Sequence, residues 1–242
     1  MGERIWMLQA WLPDGIDRAE LTDEDNVAFP NQDEVRRQLF GGGAVPPGMR
    51  SDPWPAASAL EVNIAAPELA FDFWRSAAGP LVSARLREAW AAPADGVEYA
   101  AVDASGSCAE ARAQDYRLMH VMAEAPVVDL AKSDYDTADQ LDWVPKGLPF
   151  YVRSFAIRPD AAPPGPLFRD TVARNFEFCT DAAALRALLA GCTGVRFGDP
   201  ATQRLLQPIR YRTIEGIAET GDYDVVAQRV EAHLVERIPL TH

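Results

Sequence analysis

The chain has 242 residues, 48% of them hydrophobic and 24% charged, enough apolar material for one large domain or two small ones, so disorder is not the default. Its 36 acidic and 23 basic residues leave a formal net charge of -13, which opposes nucleic acid and anionic membrane surfaces and suits a basic protein partner or simple solubility. Three widely spaced cysteines, Cys108, Cys179 and Cys192, contain no C-x-x-C and imply neither a disulfide framework nor a zinc site, so they read as reduced core residues.

Ile5 to Leu12 is apolar and aromatic and breaks at Pro13-Asp14-Gly15, predicting a buried strand ended by a turn. The N-terminal segment Met1 to Leu12 holds Glu3 and Arg4 and lacks the basic start and cleavage site of a signal peptide. No apolar run reaches the roughly 20 residues that span a bilayer, so the cytoplasm is the expected location. An acidic stretch follows, with Asp14, Asp17, Glu20, Asp23, Glu24, Asp25, Asp33 and Glu34 opposed only by Arg18 before Arg36. Gly41 to Pro55 is dense in Gly and Pro, as an exposed connection would be. The expected organisation is an acidic N-terminal region or small subdomain, residues 1–55, and an α+β domain, residues 56–242.

Leu60 to Ile64 alternates apolar and polar residues, as a half-buried strand does. Ser83 is placed to cap a helix over 84–90 that stops before Pro93, and Val97 to Val102 reads as the next strand. Further strands are expected at Tyr116 to Ala123, Val127 to Leu130, Phe150 to Arg158 and Asn175 to Cys179. Thr180 or Asp181 can cap a helix over Ala182 to Ala190, with Gly191 as its stop, and Val195 to Phe197 is a final short strand. Val225, Val226, Val230 and Leu234 recur at helical spacing, predicting an amphipathic helix from Tyr223 to Arg237 as a C-terminal extension.

No constellation announces a chemistry. Gly41 to Gly43 opens no helix and fits no phosphate-binding fingerprint, and His120, His233 and His242 are scattered without metal-ligand spacing. Asp134, Asp136, Asp139 and Asp142 offer carboxylates but lack the glycine turn and closing glutamate of a calcium loop, and read as a solvated acidic loop. Ala104 to Cys108 is a small-residue turn rather than a nucleophile elbow. Glu61, Glu98 and Asp103 lie in or beside predicted strands, where they either converge as a hydrolytic carboxylate site or simply face outward. Trp54, between two prolines, anchors an interface or plugs a loop. No catalytic, cofactor or metal residue is assigned.

From residue 60 to 200 the ordered patterns resemble a known family. The helical segment Leu81 to Trp90 precedes Gly96-Val97-Glu98-Tyr99, then Tyr116 to Met122 and Val127-Val128-Asp129-Leu130-Ala131-Lys132-Ser133-Asp134-Tyr135. Gly165-Pro166-Leu167-Phe168-Arg169, the helix Asp181 to Ala190 and Gly191 to Phe197 complete the order. Together they are similar to the eleventh immunity family of bacterial polymorphic-toxin systems. The acidic region to Pro55 and the segment Pro200 to His242 fall outside the resemblance.

The resemblance implies a protein that binds a cognate toxin domain and blocks it, with no catalytic residues and no cofactor. The expected fold is α+β, a mainly antiparallel or mixed sheet flanked by helices. The expected partner surface is basic, met by Asp23, Glu24, Asp25, Trp54, Asp134, Asp136 and Asp139. The alternatives are a hydrolytic enzyme with a carboxylate site and an acidic assembly protein.

Overall fold

The computed structural model describes residues 4–11, 23–40, 58–76, 78–90, 96–139, 146–206, 209–212, 218–221 and 236–238. The apolar run at the start of the chain forms β1 (Ile5–Ala10), followed by β2 (Val27–Ala28) and α1 (Gln32–Phe40). The strand expected over 60–64 is split at Val62 into β3 (Leu60–Glu61) and β4 (Asn63–Ile64), the first pairing with Val102 and Asp103 and the second with β2. A hairpin that periodicity did not reveal comes next, β5 (Phe73–Ser76) and β6 (Gly79–Val82). Leu81 and Val82 belong to β6 rather than to the helical segment they open in the family pattern.

Ser83 caps α2 (Ala84–Ala89): its Oγ accepts the N–H of Leu86 at 3.1 Å. β7 (Val97–Asp103), α3 (Ala109–Ala113), β8 (Arg117–Val121) and β9 (Glu124–Ala125) follow. No strand runs from Val127 to Leu130. Val128 makes an isolated bridge to Ile157, and Leu130–Lys132 is a 3-10 turn. The cause is Asp170, whose carboxylate accepts the N–H groups of Val127 and Val128, each at 2.8 Å, and so withdraws them from a ladder.

Conversely, the expected acidic loop at Asp134 is β10 (Asp134–Thr137), paired antiparallel with β11 (Pro149–Ser154). Then come β12 (Leu167–Asp170), β13 (Glu177–Thr180) and α4 (Asp181–Leu189), the helix capped by Thr180 and stopped at Gly191, where φ is +68°. β14 (Val195–Gly198) is followed by β15 (Ile209–Arg212), β16 (Ala218–Gly221) and β17 (Glu236–Ile238), which form a separate sheet in the order β16-β15-β17. Of the helix expected over Tyr223 to Arg237, residues 223–235 lie outside the described residues, and Glu236 and Arg237 are strand.

Two five-stranded sheets make the frame, one ordered β14-β1-β13-β12-β9 and the other β3-β7-β8-β6-β5. Pairing is antiparallel except for β9 with β12 and β3 with β7, so the sheets are mixed and the class is α+β in outline, with sheet dominant over a few short helices. Alternation sorts the side chains into layers. Trp6, Leu8, Leu167, Cys179 and Phe197 of the first sheet meet Phe73, Val82, Met119 and Val121 of the second in a shared core, which also takes Leu86 of α2 and Ala183, Ala184 and Ala187 of α4. The far face of the first sheet buries Ile5, Met7, Phe168 and Phe178 against Phe155, Val127 and Val128. Leu81 and Leu118 on the far face of the second sheet pack with Val35, Ile64, Leu69, Phe71 and Tyr116.

A fully buried carboxylate, Asp72, ties the sheets together. It accepts from Ser83 Oγ at 2.6 Å, Arg85 Nε at 3.1 Å, Thr193 N–H at 2.8 Å and Thr193 Oγ1 at 3.1 Å. The next residue, Gly194, has φ of +77°, and a Cβ there would lie 2.5 Å from the carbonyl oxygen of Phe73. Only glycine allows so close an approach.

A second buried charge group crosses the first sheet. Arg169 stands in register between Glu124 of β9 and Glu177 of β13. Arg174 reaches Glu124 at 3.4 Å, and Arg75 of β5 pairs with Glu177 across the core. Burial pushes the Arg169 pKa down, and Glu124 and Glu177 push it back up.

Asp72→Ala leaves the donors of Ser83, Arg85 and Thr193, from two segments of the chain, without their acceptor, and its expected cost is about 3–5 kcal/mol of unfolding free energy, read as a lower urea midpoint at unchanged slope. Gly194→Ala is expected to lower the midpoint as well, through strain rather than lost polar contact.

Candidate partner-binding surface

The acidic residues singled out in the sequence fall in two separate places. Asp23, Glu24 and Asp25 form an exposed turn leading into β2. Asp23 is largely occupied in shaping that turn: its carboxylate accepts the N–H of Asp25 at 3.0 Å and the amide of Asn26 at 3.1 Å, and its carbonyl accepts the N–H groups of Asn26 and Val27. Glu24 and Asp25 are the two that face solvent without a described shaping role through their carboxylates. Asp14, Asp17, Glu20 and Trp54 lie outside the described residues.

Asp134, Asp136 and Asp139 sit in and just beyond β10. The register places Asp136 opposite Tyr151 of β11, with irregularities on both sides of the Tyr135–Asp136 step. Tyr135 and Thr137 are half-buried, whereas Asp134 and Asp136 share the exposed face with Tyr151 and Arg153. Arg153 bridges both aspartates, donating from Nε to Asp134 Oδ1 at 2.8 Å and from Nη1 to Asp136 Oδ2 at 2.7 Å. These bonds hold both carboxyls below the usual range and raise the guanidinium pKa.

Asp139 accepts the N–H of Gly147, φ +77°, at 2.7 Å and so pins the two ends of the connection between the strands. The far end is held by Ser133 Oγ, which accepts from Ala156 N–H at 2.9 Å and donates to the carbonyl of Asp129 at 2.8 Å. Val152 on the inner face packs against the core that contains Phe155. The strand pair is therefore a braced platform.

Two residues of this face, Tyr151 and Arg153, were not singled out in the sequence. The signal was present in the alternation Phe150-Tyr151-Val152-Arg153, which sends both to the same side of a strand. What hid them was the reading of Asp134 to Asp142 as a loop, since only a pairing partner for β11 puts the aspartates beside them.

The three carboxylates of the hydrolytic alternative do not meet at one site. Glu98 lies opposite His120, with the imidazole Nδ1 3.7 Å from the Glu98 carboxylate. Asp103 is five residues further along β7, about 17 Å at strand rise, and points to the other face. It pairs in register with Glu61 of β3, both exposed. Bonds from Ser105 lower the pKa of Asp103, the direction opposite to that of a general acid. Among the described residues, no group of three or more His, Cys, Asp and Glu is placed to hold a metal ion, and no helix is long and apolar enough to cross a membrane.

Because the folded-state pKa values of Asp134 and Asp136 are depressed, their pairing with Arg153 supports the ribbon above the ordinary aspartate range near pH 4 and fades as pH falls through the lowered values. Arg153→Met is expected to move both carboxyls up in an NMR titration; values that stay put would mean that the clamp does not form in solution.

A family model, described as an immunity protein family (Imm11), matches residues 14–202. No curated protein matches the sequence. The match starts just after β1 and ends just before β15, and it takes in the acidic N-terminal segment that the sequence patterns alone left outside the resemblance. With most of its length matched, the chain belongs to the Imm11 family of immunity proteins.

Proposed function

We propose that this protein is the immunity partner of a bacterial toxin domain, which it neutralises in the cytoplasm by stoichiometric binding rather than by catalysis. The family match over residues 14–202 carries this reading. The charge supports it: a chain at -13 attracts a basic partner, and complementary fields raise association rates and disfavour wrong partners. The steering groups are the exposed carboxylates at Asp23 to Asp25 and at Asp134 to Asp139, with Trp54 as an aromatic contact. Glu24 and Asp25 carry the free charge of the first group, because Asp23 also shapes its turn.

The reading is tested first by whether an adjacent gene ends in a small toxic domain, and then by co-expression with that domain. The expected result is restored growth and a stable equimolar complex on size exclusion. Rescue without a complex, or with substoichiometric protein that turns over a toxin product, would assign the chain to the enzymatic class instead.

Steering has its own readout. Glu24→Lys with Asp25→Lys is expected to slow association roughly 3- to 10-fold at low salt and to flatten its salt dependence, leaving dissociation nearly unchanged. Rates that match the wild type at every salt concentration would remove this turn from the encounter surface.

A further inference from the structure

We infer that the outward face of the β10–β11 ribbon is the surface on which the toxin domain docks, with Tyr151 as its apolar anchor and Asp134 and Asp136 as acceptors for a basic side chain. The inference rests on the toxin-binding reading above and adds the surface and the chemistry of the partner.

Tyr151 is the reason to look here. It is 57% exposed, more than any other large hydrophobic side chain among the described residues, although it lies within a strand whose other face is anchored. The remaining exposed apolar side chains have different settings. Trp11 has the Arg196 guanidinium 3.2 Å above its ring, Val172 follows the turn held by Asp170, and Leu189 ends α4. The Tyr151 ring is set edge-to-face on Phe150 at 4.9 Å, which fixes its direction. Tyrosine and arginine are the residue types that dominate binding energy at protein interfaces, and here they stand two apart on one face.

The charge of the face selects the partner. On the strand face Asp134 and Asp136 set two carboxylates against the guanidinium of Arg153, so the face stays negative after this pairing. The side chains of Asp134 and Asp136 remain 58% and 60% exposed, with room to accept from an incoming donor. A lysine or arginine beside an apolar recess meets both needs, since it can bond the aspartates while its stem or cation covers the tyrosine ring.

Rigidity completes the case. Arg153 fixes the aspartates, Asp139 pins one end of the ribbon, Ser133 pins the other, and Val152 seats the inner face in the core. A surface ordered before binding loses little entropy on docking, which is how a small patch achieves durable affinity.

The test uses the full chain and the toxic domain encoded by the neighbouring gene, with rates measured by biolayer interferometry. Tyr151→Ala is expected to weaken binding at least about tenfold, mainly through faster dissociation, with an unchanged unfolding midpoint, while Tyr151→Phe stays within about threefold of wild type. Asp134→Asn with Asp136→Asn is expected to slow association, and Leu189→Ala serves as an exposed apolar control without effect. Wild-type binding that survives Tyr151→Ala undiminished overturns the docking face and leaves the toxin-binding reading standing. A wild-type chain that does not bind the domain at all overturns both. A concentration-dependent dimer of the chain alone that Tyr151→Ala abolishes would assign the face to self-association and overturn the inference.

Discussion

The fold depends on how a negative charge is kept in its interior. Asp72 is removed from water, and a buried carboxylate is tolerated only when its oxygens are fully engaged. Its donors come from the start of α2, Ser83 and Arg85, and from Thr193 just before β14, so one side chain links a helix end to a strand entry of the other sheet. The shared core between the sheets forms in the space this contact defines. Asp170 repeats the device on the far side of the first sheet, accepting four backbone N–H groups from Val127, Val128, Val172 and Ala173. An acidic protein thus uses some of its acid as internal scaffolding, and total charge overstates what a partner meets.

How much of this could be read from the residues follows from where the controlling contacts lie. Local signals were legible: Ser83 and Thr180 cap the helices they precede, Gly191 ends one, and β7 and β8 fall on the segments expected as strands. The β5–β6 hairpin was not, because Phe73, Trp74, Leu81 and Val82 are buried on both faces and show no period. Val127 to Leu130 looked like a strand and Asp134 to Thr137 like a loop for one reason: the deciding partner, Asp170 or Arg153, is distant in sequence. Backbone preference is overridden where a side chain from elsewhere supplies the hydrogen bond or the countercharge.

The same reasoning refines the surface. The sequence shows two acidic stretches, and the structure gives them different character. The turn at Glu24 and Asp25 offers nearly bare charge, suited to long-range attraction. The β10–β11 ribbon offers charge already half-compensated, beside an aromatic ring, on a braced platform, suited to short-range fit. Long-range attraction and short-range fit place different demands on a surface, and the proposed docking face joins some of both on the ribbon while the turn offers charge alone.

β1 lies inside the first sheet, hydrogen-bonded to β13 on one side and β14 on the other. Trp6 of β1 donates to Asp181, 175 residues further along the chain. On the ribosome, at about 5–20 residues per second, the strand waits roughly 9–35 s for its neighbours to be made. During that interval Ile5, Trp6, Met7 and Leu8 have no sheet to enter, and the shared core cannot close. The shared core is therefore closed around a strand that is made before its sheet neighbours and seated after them.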